Sequence, residues 1–146
     1  MPTPVDRFFR EYVNVFNRSL GSEVDVEGIR SHFSDCFVAA GPGGVKCGEN
    51  NDDFADTLRQ GYAFYQSIGT RAMAVRNVKT TPIDESHHMA RVEYRATYDK
   101  PSGETVEIDF AVTYFLAAQD QSLTIFGFVA GDEMALYRQH GLLGEA

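Results

Sequence analysis

Asp109, His88 and a set of phenols are the residues whose types could do chemistry on a small molecule. A carboxylate facing a partly apolar hollow has its pKa pushed up toward the general-base range. Asp109 lies in a stretch expected to run through the middle of a sheet, where it could face such a hollow. A second placement stays open for it: with Glu107 it has the parity opposite to Ile108, Phe110 and Val112, which sets both carboxylates on a solvated face. His87 and His88 point to opposite faces of a regular strand, so they cannot serve one site. His88 shares parity with Ala90, Val92 and Tyr94 and is the pocket candidate, with a solvated strand end as the alternative. Tyr12, Phe16, Tyr62, Tyr65, Tyr94 and Phe128 lie on faces that can converge. An aromatic cavity with several phenols suits an apolar ligand bearing a carbonyl or hydroxyl; the competing reading is an ordinary aromatic core.

Other chemistries have little support. His32, His87, His88, His140, Cys36 and Cys47 show no recognised metal-ligand spacing, and no metal is expected. The glycines of Gly41-Pro42-Gly43-Gly44 lack both the strand-loop-helix context with Lys-Ser/Thr and the spacing of a dinucleotide fingerprint, so they read as a turn and no cofactor is implied. Cys36, in an apolar strand, is expected to pack rather than react, and both cysteines are expected to be reduced. The net charge of -8, with no Lys/Arg cluster against it, disfavours nucleic acid and anionic membrane as partners. Neither a signal-peptide pattern nor an apolar run of membrane-spanning length is present, which makes a cytoplasmic protein the expectation. At 146 residues the chain fits one domain, 1–146, that buries roughly 70% of its unfolded surface.

The elements that must position these residues follow from periodicity and caps. Thr3 and Pro4 start a helix whose stripe is Val5, Phe8, Phe9, Tyr12, Val13, Phe16 and Leu20, with Gly21 at its end. Asp25 caps a shorter helix carrying Val26, Ile29 and Phe33. Residues 33–40 read as a strand entering the glycine turn, and residues 45–48 leave it. Asn50 or Asn51 caps a third helix with Phe54, Leu58, Tyr62, Tyr65 and Ile68 on one face, stopped by Gly69. Residues 70–81 form a strand only with a bulge near Arg76-Asn77, because Met73 and Val78 differ in parity. From Ser86 to Gly131 the chain reads as a three-strand meander whose last strand is apolar on both faces and therefore central. Asp132 caps a last short helix that ends before Gly141. Apolar residues on both faces of the last two strands exceed what helices on one face can cover, which favours a homodimer through the sheet.

That element order, with the Asp25-Val26-Glu27-Gly28-Ile29 helix leading into Phe33-Ser34-Asp35 and the closing segment Leu136-Tyr137-Arg138-Gln139-His140-Gly141-Leu142, resembles the nuclear transport factor 2-like superfamily, and within it the SnoaL-like branch. The resemblance implies an α+β, cone-shaped fold in which a curved antiparallel sheet wraps over N-terminal helices and encloses a pocket, often with dimerisation through the sheet. It also implies a range of activities, from isomerases, dehydratases and polyketide cyclases to noncatalytic binding domains, so fold alone does not select one. In a ketosteroid isomerase-like alignment Tyr12 matches the oxyanion tyrosine, the general-base aspartate falls on Gly41, and the protonated acid falls on Thr113, or on Tyr114 if the register moves by one. A dehydratase or cyclase of this kind needs a carboxylate or histidine beside a hydroxyl donor, for which Tyr12, Tyr94, Asp109 and His88 are the candidates. With glycine in the base position, the leading expectation is a domain binding a small apolar metabolite; an acid-base enzyme and a dimeric protein-interaction domain are the alternatives.

Overall fold

The structure, a computed structural model, describes residues 3–21 and 23–143. Helix α1 (Pro4–Gly21) opens on a reciprocal cap. Thr3 Oγ1 accepts the Asp6 N–H at 3.1 Å, and Asp6 Oδ2 accepts the Thr3 N–H at 2.9 Å, so donors otherwise left bare in the first turn are satisfied. The backbone bond from Thr3 is also the main reason the Asp6 carboxyl titrates below its ordinary value. One face of α1 buries Val5, Phe9, Val13, Phe16 and Leu20, much as the apolar spacing predicts. Asp25 Oδ1 accepts the Gly28 N–H at 3.0 Å and starts α2 (Val26–Arg30). A Cβ at Gly28 would collide with that same carboxylate, which explains a glycine inside so short a helix.

Strands β1 (Phe33–Gly41) and β2 (Gly44–Glu49) form a hairpin around the glycine turn. Helix α3 (Asp52–Ser67) is capped by Asn51, whose Oδ1 takes the Phe54 N–H at 3.1 Å. It stops at Gly69, whose φ of 83° belongs to the left-handed region, and a side chain there would strike the Asp99 carbonyl. The Asp99 N–H donates to the Gly69 carbonyl at 2.8 Å, tying the end of α3 to the sheet.

The long strands follow: β3 (Thr70–Pro82), β4 (His87–Asp99), β5 (Thr105–Gln119) and β6 (Ser122–Ala130). The expected bulge in β3 is present, as a register shift between Val75 and Asn77. The described residues form one curved, unclosed six-stranded sheet in the order β2-β1-β6-β5-β4-β3, which puts β6 inside it as its two apolar faces require. The sheet differs from a purely antiparallel one at a single interface: β1 runs parallel to β6. The meander ends with an open edge on β6, and β1 takes that edge in the direction α2 delivers it, with the Ile125 N–H donating to the His32 carbonyl at 2.8 Å. Helix α4 (Glu133–Gln139), capped by Asp132 through the Ala135 N–H at 3.0 Å, closes the described chain over one end of the sheet.

Inward parity on β4 and β5 belongs to Ala90, Val92, Tyr94, Ala96 and Tyr98, and to Ile108, Phe110, Val112, Tyr114 and Leu116. These side chains and the apolar stripe of α1 make the core. Cys36 departs from expectation: it has the outward parity of Val38 on β1 and is exposed, as is Cys47 on the edge strand beside it. No described helix is long and apolar enough to cross a membrane.

Candidate functional site

Between the inner face of the sheet, α1, α3 and the first turn of α4 the chain leaves a cavity of about 640 Å³. The sequence holds seven tyrosines and no tryptophan, and every tyrosine borders this cavity: Tyr12, Tyr62, Tyr65, Tyr94, Tyr98, Tyr114 and Tyr137. Phe16 and Phe128, the other aromatic candidates, line it as well. The rings brace one another. Phe16 meets Tyr62 and Tyr65 with centroids 5.2 and 5.5 Å apart, Tyr62 and Tyr65 stand edge to face at 5.6 Å, and Tyr12 lies 6.4 Å from Tyr114.

At the floor, the Tyr94 and Tyr114 hydroxyl oxygens are 2.7 Å apart. Both residues are buried and both project inward from neighbouring strands, four residues off direct register because Ala90 is the cross-strand partner of Tyr114 and Phe110 that of Tyr94. Two phenols joined by one hydrogen bond spend one proton between them and keep the other. The phenol whose oxygen accepts is polarised by doing so and becomes the better donor to whatever lies in front of it. Burial holds both well above the ordinary phenol pKa, so they act as neutral O–H groups. Tyr12 is pushed up to about 12 by burial and then by the Glu133 charge, and Tyr98 to about 12, again chiefly by burial. Tyr62, Tyr65 and Tyr137 are raised further for the same reason. The hydroxyls of Tyr12, Tyr62 and Tyr65 have no hydrogen-bond partner among the described residues.

Two polar groups in the wall had no signal in the sequence reading. Glu133, the first residue of α4, borders the cavity half-buried, and desolvation raises its pKa; the one hydrogen bond to its carboxylate, at 3.5 Å, comes from the Tyr137 hydroxyl. Thr70 is buried at the start of β3, and its Oγ1 has no partner among the described residues. An acidic residue in a first helical turn ordinarily reads as solvated, and only the return of α4 over the sheet turns Glu133 inward. Tyr98 was legible in principle, since it has the parity of Tyr94.

Three candidates lie elsewhere. Asp109 is on the outer face of β5, where Arg95 Nε and Nη2 donate to its two oxygens at 2.7 and 3.0 Å and Arg76 Nη1 adds a third bond at 2.9 Å. The hydrogen bonds and charge of Arg95, with help from Arg76, hold its pKa below the usual carboxylate value, the reverse of what a general base needs. His88 keeps the inward parity but sits opposite Pro82 and Leu116, about 20 Å along β4 from Tyr94 at the strand rise. It does not border the cavity. Its Nδ1 is buried without a partner among the described residues. Thr113 faces outward between Arg91 and Val129, so of the two registers considered it is Tyr114 that enters the cavity. Gly41 carries no side chain at the base position; Phe33 and Phe37 are the buried residues of β1, and Asp35, the one carboxylate on that strand, is exposed and does not border the cavity.

Comparison with known proteins agrees with this architecture. The family model described as NTF2-like protein (DUF6841) matches residues 3–133. Among solved structures, an NTF2-like protein with a cystatin-like fold from Novosphingobium aromaticivorans superposes with a TM-score of 0.68 at 14% identity, covering 97% of this chain and 88% of that one. An NTF2-like protein of unknown function from Shewanella oneidensis gives 0.65 at 12% identity, covering 90% and 100%. A ketosteroid isomerase-like protein from Erwinia carotovora gives 0.61 at 17% identity, covering 87% and 92%. At these identities the likeness is one of fold. No curated protein matches the chain.

Proposed function

This chain belongs to the NTF2-like family of DUF6841, and from that premise we propose that it is a small-molecule-binding domain whose ligand is an apolar, ring-bearing metabolite held in the tyrosine-lined cavity. The observation that carries the reading is the Tyr94–Tyr114 hydroxyl pair at 2.7 Å, set into a wall made mainly of aromatic and aliphatic side chains. A buried phenol pair with one proton to give is matched by a ligand carbonyl or hydroxyl oxygen, while the surrounding rings supply apolar contact. A volume of about 640 Å³ is in the range of pockets that hold small-molecule ligands. Asp109 and His88, the residues first considered for acid-base turnover, lie outside the cavity, so binding leads over catalysis as the role of the site.

The absence of tryptophan makes the test direct, because all intrinsic emission comes from tyrosines at the cavity. Titration with a panel of polycyclic ketones and phenols is expected to quench that emission saturably. Tyr114→Phe should weaken ketone binding by roughly tenfold, the worth of one buried hydrogen bond. If no member of the panel changes the emission, the reading fails.

We also propose a homodimer through the outer face of the sheet. Val38 and Val129 are 43% and 49% exposed on adjacent strands, and the outward rings of Phe115 and Phe126 lie 6.0 Å apart next to them. A second copy would cover this apolar end, while the Arg76–Arg95–Asp109 cluster marks a charged end of the same face.

A further inference from the structure

Resting on that reading of the cavity, the charge of its wall narrows the ligand. The lining contains no lysine, arginine or histidine side chain among the described residues; its charged members are Asp132 and Glu133. Asp132 is occupied, since its Oδ1 caps α4 through the Ala135 N–H at 3.0 Å. Glu133 forms no ion pair among the described residues, and Tyr137 is its one hydrogen-bond donor. Phenols from the elements that line the same cavity feel its charge: Tyr12 on α1, Tyr65 on α3, Tyr94 and Tyr98 on β4, and Tyr114 on β5. Independently, the Thr70 hydroxyl borders the same cavity on a residue only 9% exposed and has no partner among the described residues, so a polar group of the occupant is wanted there too.

We propose that the cavity selects a cationic ligand, an ammonium or quaternary amine on an apolar ring system, with Glu133 as its counter-ion and tyrosine rings about the charge. An anionic ligand would meet a carboxylate and no cation, and a neutral ligand would leave that carboxylate desolvated and unpaired. An ammonium removes both costs: it pairs with Glu133, and the negative faces of aromatic rings attract it. The acidic character of the chain, net -8, draws the same class of ligand toward the mouth.

Naphthylethylammonium and naphthylethanol, alike in shape and different in charge, serve as probes, each titrated into the full chain by calorimetry. At about pH 8 the amine is expected to bind roughly tenfold more tightly or better, and Glu133→Gln to bring the two affinities within about a factor of two. Lowering the pH of the wild-type titration should also shrink the preference as Glu133 takes up a proton, which tests the same assignment without a variant. Equal affinities in the wild type, or a preference that survives both Glu133→Gln and acid, would overturn the cationic assignment while leaving the cavity as a ligand site. Binding of neither probe would overturn both.

Discussion

Asn17 grips Met73 by both of that residue's backbone polar groups, its Oδ1 accepting the Met73 N–H at 2.8 Å and its Nδ2 donating to the Met73 carbonyl at 3.0 Å. Since β3 is the outer strand of the sheet, the side chain of α1 here does what a seventh strand would do at that position, and the exposed edge is shortened. The same clasp fixes α1 against the strand that carries Thr70 and Met73 into the cavity wall. Asn17→Ala leaves two part-buried backbone groups without partners and should cost about 2 kcal/mol, lowering Tm by roughly 6 °C for a chain of this size. Asn17→Asp keeps the acceptor and loses the donor, so thermal melts should place it between the other two; an unchanged Tm in both variants would show the clasp to be idle.

For the tyrosine pair, a double-mutant cycle separates the hydrogen bond from the rings. Tyr94→Phe and Tyr114→Phe each strand one buried hydroxyl and should each lose about 1–2 kcal/mol in denaturant melts. The double variant removes both hydroxyls and should lose little more than either single one, giving a coupling of about 1 kcal/mol. Strict additivity would mean that the two hydroxyls do not interact in solution.

Much of this architecture was legible because it is written in local chemistry. Asp25, Asn51 and Asp132 each cap the helix expected of them, and the parity conflict between Met73 and Val78 located a real bulge. The site was legible only in part. Tyr12, Phe16, Tyr62, Tyr65, Tyr94 and Phe128 converge as the faces of their elements allowed, while the choice between Thr113 and Tyr114 needed the register of β5. Whether such rings meet as solid core or leave a hollow depends on strand curvature and helix standoff, which no residue pattern records. Asp109 shows the other limit: its own parity was readable, but its environment comes from Arg95 directly across β4 and from Arg76 one strand further away. Glu133 needed the position of α4 in space.

The raised pKa of Glu133 fixes the sign of a pH dependence. Between the unfolded carboxyl value, near 4.5, and its higher folded value, the native chain holds a proton that the unfolded chain has released. Stability therefore falls as pH rises through that window, and Glu133's contribution is most favourable below it. The groups facing Glu133 are Tyr12, Tyr65, Tyr94, Tyr98, Tyr114 and Tyr137, phenols that stay neutral there, besides its neighbour Asp132. Asp6, Asp25, Asp84 and Asp109 all titrate below 3.8 and act outside the window. Chemical denaturation from acid to neutral pH should show a decline in the wild type that Glu133→Gln flattens; parallel curves would refute the buried-carboxyl assignment.

The proposed dimer makes its own prediction. Val129 pairs with Thr113 on β5 and Ala40 on β1, at the centre of the apolar end of the outer face. In the monomer this position is half open, so Val129→Lys leaves the core untouched and should barely alter the circular dichroism spectrum. Placed against a second copy, the same ammonium would be desolvated without a partner, and light scattering should report the mass of one chain where the wild type reports two. A wild type that already runs as one chain would remove the dimer from the proposal.

Asp109 provides the control that separates the two faces of the sheet. Its carboxylate is joined to Arg95 and Arg76 on the outside, with the side chains of all three residues 39–49% exposed. Its depressed pKa means that its contribution is present at neutral pH and lost as pH falls through the folded value, and solvent screening keeps that contribution small. Asp109→Asn should therefore leave ligand affinity within about twofold of wild type while slightly lowering Tm, and the Tm difference should shrink further in about 1 M salt, where the Debye length is only ~3 Å. A loss of binding of the size expected for Tyr114→Phe would instead couple the outer face to the cavity and move Asp109 back among the functional residues.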